Sequence, residues 1–227
     1  MSVQRRRSRT RPTAEAAPPA LPPIWAGAVA LAVIAIVVAS GTVIALGRQP
    51  ASTGAFAGCR AATQLAPDLY QRAPGMCIDT SKAYTARVQT TKGAFTLKLM
   101  AKKAPRTVNN FVVLALQGYF TGQRFFDTRD WVVRAGDPGG TGRGGPGYTL
   151  PAAAPLSGDH WPAGSVGMAR LPDGRMSGSQ FFITRTGWPG GNPDVSYNHF
   201  ATVGDGFDVV GQLTGSDRVL QVTVRRA

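Results

Sequence analysis

The C-terminal part of the sequence predicts a mainly β domain, an antiparallel sheet or barrel with helices attached. Three observations point there. From Tyr84 onward, apolar and polar residues alternate in short runs, the period of a half-buried strand. Turn residues interrupt these runs often. A good helical period occurs early, just after residue 104.

In order, TARVQTTKGAFTLKLM predicts a strand, a turn near Lys92-Gly93, and a second strand with Phe95, Leu97 and Leu99 on one face. APRTVNNFVVLALQG predicts a helix. Pro105 fits its first turn, Val108, Phe111, Val112 and Ala115 form an i, i+3, i+4, i+7 stripe, and Gly118 supplies the stop. Residues 118–150 then carry a strand with Phe125, Phe126, Trp131, Val132 and Val133, followed by the loop GDPGGTGRGGPGY. Glycine at that density lets backbone take positive φ and lie close to what it packs on. Ser165–Arg170 and Phe181–Thr184 read as strands. Ala201–Val203, a short helix over Phe207–Leu213 and a strand over Val219–Val224 finish the domain.

The rest of the chain is built differently. Residues 1–23 are rich in arginine, proline and small residues, which bury too little apolar surface to fold. Residues 24–46 carry no charge and, as a helix, span roughly 35 Å, enough to cross a hydrocarbon core. Arginines 5, 6, 7, 9 and 11 precede this stretch and only Arg48 closely follows. The positive-inside rule therefore expects a single-pass cell-membrane protein, N-terminus cytoplasmic and C-terminal domain extracytoplasmic. A cleaved signal peptide is the competing reading; its apolar core is normally shorter. Residues 47–83, with Pro50, Gly54, Gly58, Pro67, Pro74 and Gly75, read as a linker.

The two cysteines, Cys59 and Cys77, fall in that linker. Outside the cytoplasm a pair is expected to be bridged, constraining the unfolded chain by roughly 3 kcal/mol; two unpaired thiols are the alternative. Two cysteines do not make a four-ligand metal site. The net charge of +13 invites a nucleic-acid partner, but the arginines sit in the tail or are scattered singly, so no nucleic acid is expected. His160 reads as a surface residue and His199 as a loop or sheet residue. Neither has a Ser or Cys at a suggestive spacing, which disfavours a hydrolase triad.

Residues 84–227 resemble a bacterial cyclophilin. The motifs follow in order: Ala-Pro-x-Thr-Val-x-Asn-Phe, Gly-Tyr-Phe, Gly-Asp-Pro-x-Gly-Thr-Gly, Gly-Gly-Pro-Gly-Tyr, Gly-Met-Ala and Gly-Ser-Gln-Phe-Phe-Ile-Thr. The resemblance implies a closed eight-stranded antiparallel barrel capped by two helices, no cofactor, and cis–trans isomerisation of X-Pro bonds. By position against the family motifs it implies a proline cup of Phe126, Trp131, Val132, Phe182, Pro193 and Tyr197. Gln180 would hold substrate backbone, and Ala169 and Arg170 would bind along its edge. Read without the resemblance, Trp131, Val132 and Phe182 are expected to be plain barrel core.

One departure bears on the chemistry. Where the family has Phe-His-Arg, whose arginine donates to the proline nitrogen, this chain has Phe125-Phe126-Asp127, and the segment is one residue short before Trp131. An ionised carboxylate cannot donate. Arg134, where the family has glutamine, is the expected substitute; Arg129 is a second candidate; and Asp127 and Arg134 could simply pair. The expected function is a prolyl isomerase acting on exported or envelope polypeptides, with catalysis through Arg134, Gln180 and Phe182. The alternative is a catalytically degenerate module that binds proline-containing segments at the membrane.

Overall fold

The computed structural model describes residues 54–152, 160–190, 193 and 195–227. The expected tail over 1–23 and membrane span over 24–46 lie outside these residues. Among the described residues no helix is long and apolar enough to cross a membrane.

Two short strands, β1 (Gln64–Ala66) and β2 (Leu69–Tyr70), pair with each other. The hairpin β3 (Tyr84–Thr90) and β4 (Gly93–Leu99) follows, in register from Tyr84↔Leu99 to Thr90↔Gly93. Its alternation is the one seen in the sequence: Ala86, Val88, Phe95 and Leu97 face the core. Helix α1 spans Pro105–Leu116, with proline in its first turn. It ends at Gly118, whose φ of 72° is left-handed, where Tyr119 N donates to Leu114 O at 3.0 Å.

Strands β5 (Phe126–Arg129), β6 (Val132–Ala135), β7 (Thr149–Leu150), β8 (Ser165–Arg170), β9 (Met176–Thr184) and β10 (His199–Val203) come next. Helix α2 (Phe207–Gln212) and β11 (Val219–Arg226) complete the chain. One antiparallel sheet runs β11-β3-β4-β10-β8-β9-β6-β5, with β7 paired to β9. Helix α1 packs on β9, β10 and β11, and α2 on β4.

The closed eight-stranded barrel is corrected. The sheet has nine strands, counting β7, and curls into a half-closed barrel. Its end strands, β5 and β11, form no ladder. They approach at an isolated Arg124↔Arg218 bridge, with Phe125 N donating to Asp217 O at 3.0 Å. Strand β5 is the cause: it is four residues long, and its pairing with β6 slips between Phe126 and Arg129.

Residues 54–83, expected to be part of a linker, lie on the domain instead. Phe56, Cys59, Tyr70 and Ile78 are buried in the same core as α1 and the sheet. Cys59 and Cys77 are joined by a disulfide. Asn109, on α1, holds this strap: its Oδ1 accepts from Cys77 N at 2.8 Å and Ile78 N at 3.3 Å, and its Nδ2 donates to Gly75 O at 2.9 Å. Helix α1 is therefore buried well beyond its apolar stripe, Asn109 and Asn110 included.

Candidate functional site

The site begins with a row across four strands. Phe126 of β5 is opposite Arg134 of β6, Arg134 opposite Phe182 of β9, and Phe182 opposite Gly167 of β8. Directly paired residues project from the same face, so a ring, a guanidinium and a second ring stand side by side. Val132, two positions before Arg134, shares that face. Gly167 makes room for the rings: a Cβ there would lie 2.6 Å from the Phe182 ring and 2.7 Å from Trp161.

Phe182 is the centre of the aromatic packing. Trp161 stacks on it with centroids 5.4 Å apart, and Tyr197 and Trp188 meet it edge-on at 5.2 and 5.8 Å. Trp131 meets Trp188 at 5.1 Å. These residues, with Val132 and Ala169, form an apolar cluster separate from the main core. The result is an open cup of about 160 Å3, walled by Trp131, Val132, Ala169, Phe182, Trp188 and Tyr197. Its polar rim is Asp127, Arg129, Arg134 and Arg170.

Arg134 is held from two sides. Its Nη2 donates to Gln180 Oε1 at 2.9 Å, and its Nη1 reaches Asp127 Oδ2 at 3.4 Å. The guanidinium also lies 5.1 Å from the centre of the Phe126 ring. Its buried Nε–H has no partner among the described residues. Asp127 has a φ of 46°, uncommon for a residue other than glycine, at the point where β5 slips register. Its other oxygen accepts from Arg129 Nε at 2.6 Å. Arg170 is fixed by Ser196 O, at 3.0 Å from Nε and 2.7 Å from Nη2, and lies over the Tyr197 ring.

Of the residues expected from the sequence, Trp131, Val132, Arg134, Ala169, Arg170, Phe182 and Tyr197 line one cup. Three are placed differently. Gln180 is fully buried and does not line the cup; its carboxamide accepts from Arg134 and donates to Gly144 O at 2.7 Å. It supports the guanidinium from beneath the cup. Phe126 lies against Arg134 rather than in the cup wall, and Pro193 is half-buried and outside the lining. Trp161 and Trp188 were not expected. Both lie in irregular segments where no periodicity marks them; their only signal is being large apolar residues in otherwise polar, glycine- and proline-rich stretches. Of the two histidines, His199 is buried in β10 and stacks on Trp161 at 4.2 Å, and His160 is exposed.

Behind the cup, Asp137 organises the glycine loop. It is fully buried, and its carboxylate accepts from the amides of Gly139, Thr141, Gly142 and Gly144 at 2.9, 2.8, 2.6 and 3.2 Å. Burial pushes its pKa upward, but the four amides together outweigh burial and hold it below the usual carboxylate value. A Cβ at Gly144 would lie 2.0 Å from Asp137 Oδ1, so that position needs glycine. Gly144 carries the carbonyl that Gln180 binds, which links the loop to Arg134.

Comparison with known proteins gives the same architecture. A structure described as a Cryptosporidium parvum cyclophilin type peptidyl-prolyl cis-trans isomerase matches with a TM-score of 0.55 and 23% identity, over 63% of this chain and 98% of that one. That match speaks to fold alone. In sequence, a peptidyl-prolyl cis-trans isomerase of Helicobacter pylori is 32% identical over 63% of this chain and 88% of its own. One from Synechococcus elongatus is 35% identical over 61% of this chain and 94% of its own. The family model described as "Cyclophilin type peptidyl-prolyl cis-trans isomerase/CLD" matches residues 85–226, more than half of the sequence. The chain belongs to the cyclophilin-type peptidyl-prolyl cis-trans isomerase family.

Proposed function

We propose that this isomerase acts on X-Pro bonds of exported or envelope polypeptides, with Arg134 as the donor to the proline nitrogen. The proposal includes a bacterial cell membrane as its site, with residues 24–46 as an uncleaved single-pass anchor and the cyclophilin domain outside the cytoplasm.

The chemistry sets the requirements. Amide resonance gives the X-Pro bond a barrier of ~18–20 kcal/mol, so unaided it turns over in tens to hundreds of seconds. No bond to carbon breaks, so no nucleophile is needed. As the bond twists, resonance is lost and the proline nitrogen becomes pyramidal and able to accept a hydrogen bond. A donor placed there is stronger in the twisted state than in the planar one, which is the condition for rate acceleration. The walls of the cup take the pyrrolidine ring out of water.

The observation that carries this reading is the Arg134 guanidinium at the rim of the aromatic cup, held by Gln180 through Nη2 and by Asp127 through Nη1, which leaves a second N–H on each. Gln180 acts as a positioning residue. The test is a protease-coupled isomerisation assay on proline peptides with the wild type and Arg134→Ala. Loss of rate enhancement with peptide binding retained supports the assignment; an unchanged rate overturns it.

A second reading is favoured by one contact. Asp127 has a carboxylate oxygen on Arg134, which partly neutralises the cation. The domain would then bind proline-containing segments as a degenerate module with little catalysis. In the same assay it is distinguished by peptide binding without rate enhancement in the wild type.

A further inference from the structure

A second depression, of about 390 Å3, is formed by the turn at 81–83 and the β4–α1 connection at 99–103. Lys82, Lys102 and Lys103 line it, and all three are exposed. The end of β11 lies beside it: Arg226 pairs with Tyr84 and is exposed. Asp79 lies close enough to Lys82 and Arg226 to feel their charge, and its carboxylate already accepts from Ser81 N at 2.9 Å and Ser81 Oγ at 2.7 Å. Helix α1 starts here too, with no acidic residue in its first turn. This end of the domain is therefore strongly basic.

The chain enters the domain at the same end. Phe56 packs on Tyr84 with ring centroids 5.9 Å apart. Only residues 47–53 separate the uncharged apolar stretch from Gly54. Fully extended, that connection reaches roughly 30 Å. A bilayer holding residues 24–46 would keep the basic end close by, at a high effective concentration. The negative potential of an anionic leaflet acts over about one Debye length, so nearness decides whether it is felt.

We infer that the surface of Lys82, Lys102, Lys103 and Arg226 docks on anionic lipid headgroups of the membrane that anchors the chain. The inference rests on the anchor reading above. It shares no residue with the proline cup, so docking and isomerisation are separable. Each cation near an anionic surface contributes about fivefold in binding. Removing the three lysines therefore lowers the docking equilibrium on the order of a hundredfold.

The test uses the full chain in lipid nanodiscs, with gadolinium-chelating headgroups as a proximity probe. Discs of phosphatidylcholine are compared with discs containing phosphatidylglycerol, and broadening of the Lys82, Lys102 and Lys103 amide signals is measured. The expected result is broadening confined to this surface in phosphatidylglycerol discs. It is lost in about 0.5 M salt and in the Lys82→Gln/Lys102→Gln/Lys103→Gln variant, whose isomerase activity stays unchanged. Equal broadening in both lipids, or broadening spread over the whole domain, overturns the docking surface while leaving the anchor standing. If the chain does not enter the discs, the anchor reading fails, and the docking surface is tested alone by flotation with phosphatidylglycerol vesicles. Lysine-dependent flotation then supports it, and no flotation overturns it. A short DNA duplex that shifts these signals where phosphatidylglycerol does not would assign the surface to nucleic acid and overturn the lipid assignment.

Discussion

Arg134 and Gln180 are joined across adjacent strands, with Nη2 donating to Oε1 at 2.9 Å. The glutamine is fully buried and its amide nitrogen is bound to Gly144 O, so the acceptor it offers the arginine is oriented before any substrate arrives.

Arg134→Ala is expected to lower kcat/KM by about 10²–10³, the usual cost of removing one preorganised donor. Arg134→Lys should recover part of this, because an ammonium keeps the charge but lacks the planar fork. Isomerisation rates measured by exchange spectroscopy on a proline peptide check both. Arg134→Ala also leaves Gln180 Oε1 buried without its donor, at about 1–3 kcal/mol of stability. Urea unfolding separates that effect from the catalytic one.

Asp127→Asn removes the carboxylate between Arg129 and Arg134 but keeps the Gln180 contact. Both partners are partly exposed, so a stability change of less than about 1 kcal/mol is expected. Activity should stay within roughly threefold of wild type. A tenfold fall would make Asp127 a positioning residue for Arg134.

Gly167→Ala places a methyl against Phe182 and Trp161 in the row beneath the cup. Overpacking of this kind costs about 1–3 kcal/mol. The Phe182 ring has to shift, so KM for proline peptides is expected to rise while the Arg134 contacts persist. Thermal unfolding and steady-state kinetics on the same sample check the two effects.

Asp137 predicts an acid-sensitive fold. Its folded pKa lies below the unfolded value of about 3.9. Its contribution is therefore fully present above that value and is lost as pH falls through the folded pKa. Asp137→Asn should cost about 2 kcal/mol near neutral pH, since charge-assisted bonds to the loop amides become neutral ones. The gap between wild type and variant in urea midpoint should narrow as pH falls through the folded pKa of Asp137. A gap independent of pH would show that shape, not charge, holds the loop.

Replacing Cys59 and Cys77 by serine is expected to lower stability by roughly 3 kcal/mol, from the 18-residue separation that the bridge closes. Comparison of reduced and oxidised wild type by chemical unfolding measures the same quantity independently.

Much of the framework was legible from local pattern. The β3–β4 hairpin and α1 follow from period and stop signals, because each hides one face and shows the other. Strand β9 was read only from Phe181, yet it begins at Met176 and is buried along its whole length. Its Ser177, Gly178, Ser179 and Gln180 are small or polar, and a strand covered on both faces shows no alternation. Residues 54–83 were unreadable for another reason. Their partners on α1, Asn109 above all, are polar groups satisfied by backbone, and hydrophobicity does not register them. In the cup, paired strand positions were accessible through the family motifs. Trp161 and Trp188 come from loops and reach Phe182 only through the tertiary path of the chain. The sequence places Gln180 in this neighbourhood but does not show that its carboxamide engages Arg134 and Gly144 O.

The disulfide-fastened strap has a practical corollary. The family match starts at residue 85, whereas among the described residues the buried core starts at Phe56. A polypeptide trimmed to the match would lose Tyr84 together with the Phe56 ring that packs on it and would strip Asn109 of three backbone partners, leaving a greasy, thirsty groove along the first helix. Such a fragment should be sticky in solution, and the smallest well-behaved piece of this enzyme should begin about thirty residues upstream of where homology does.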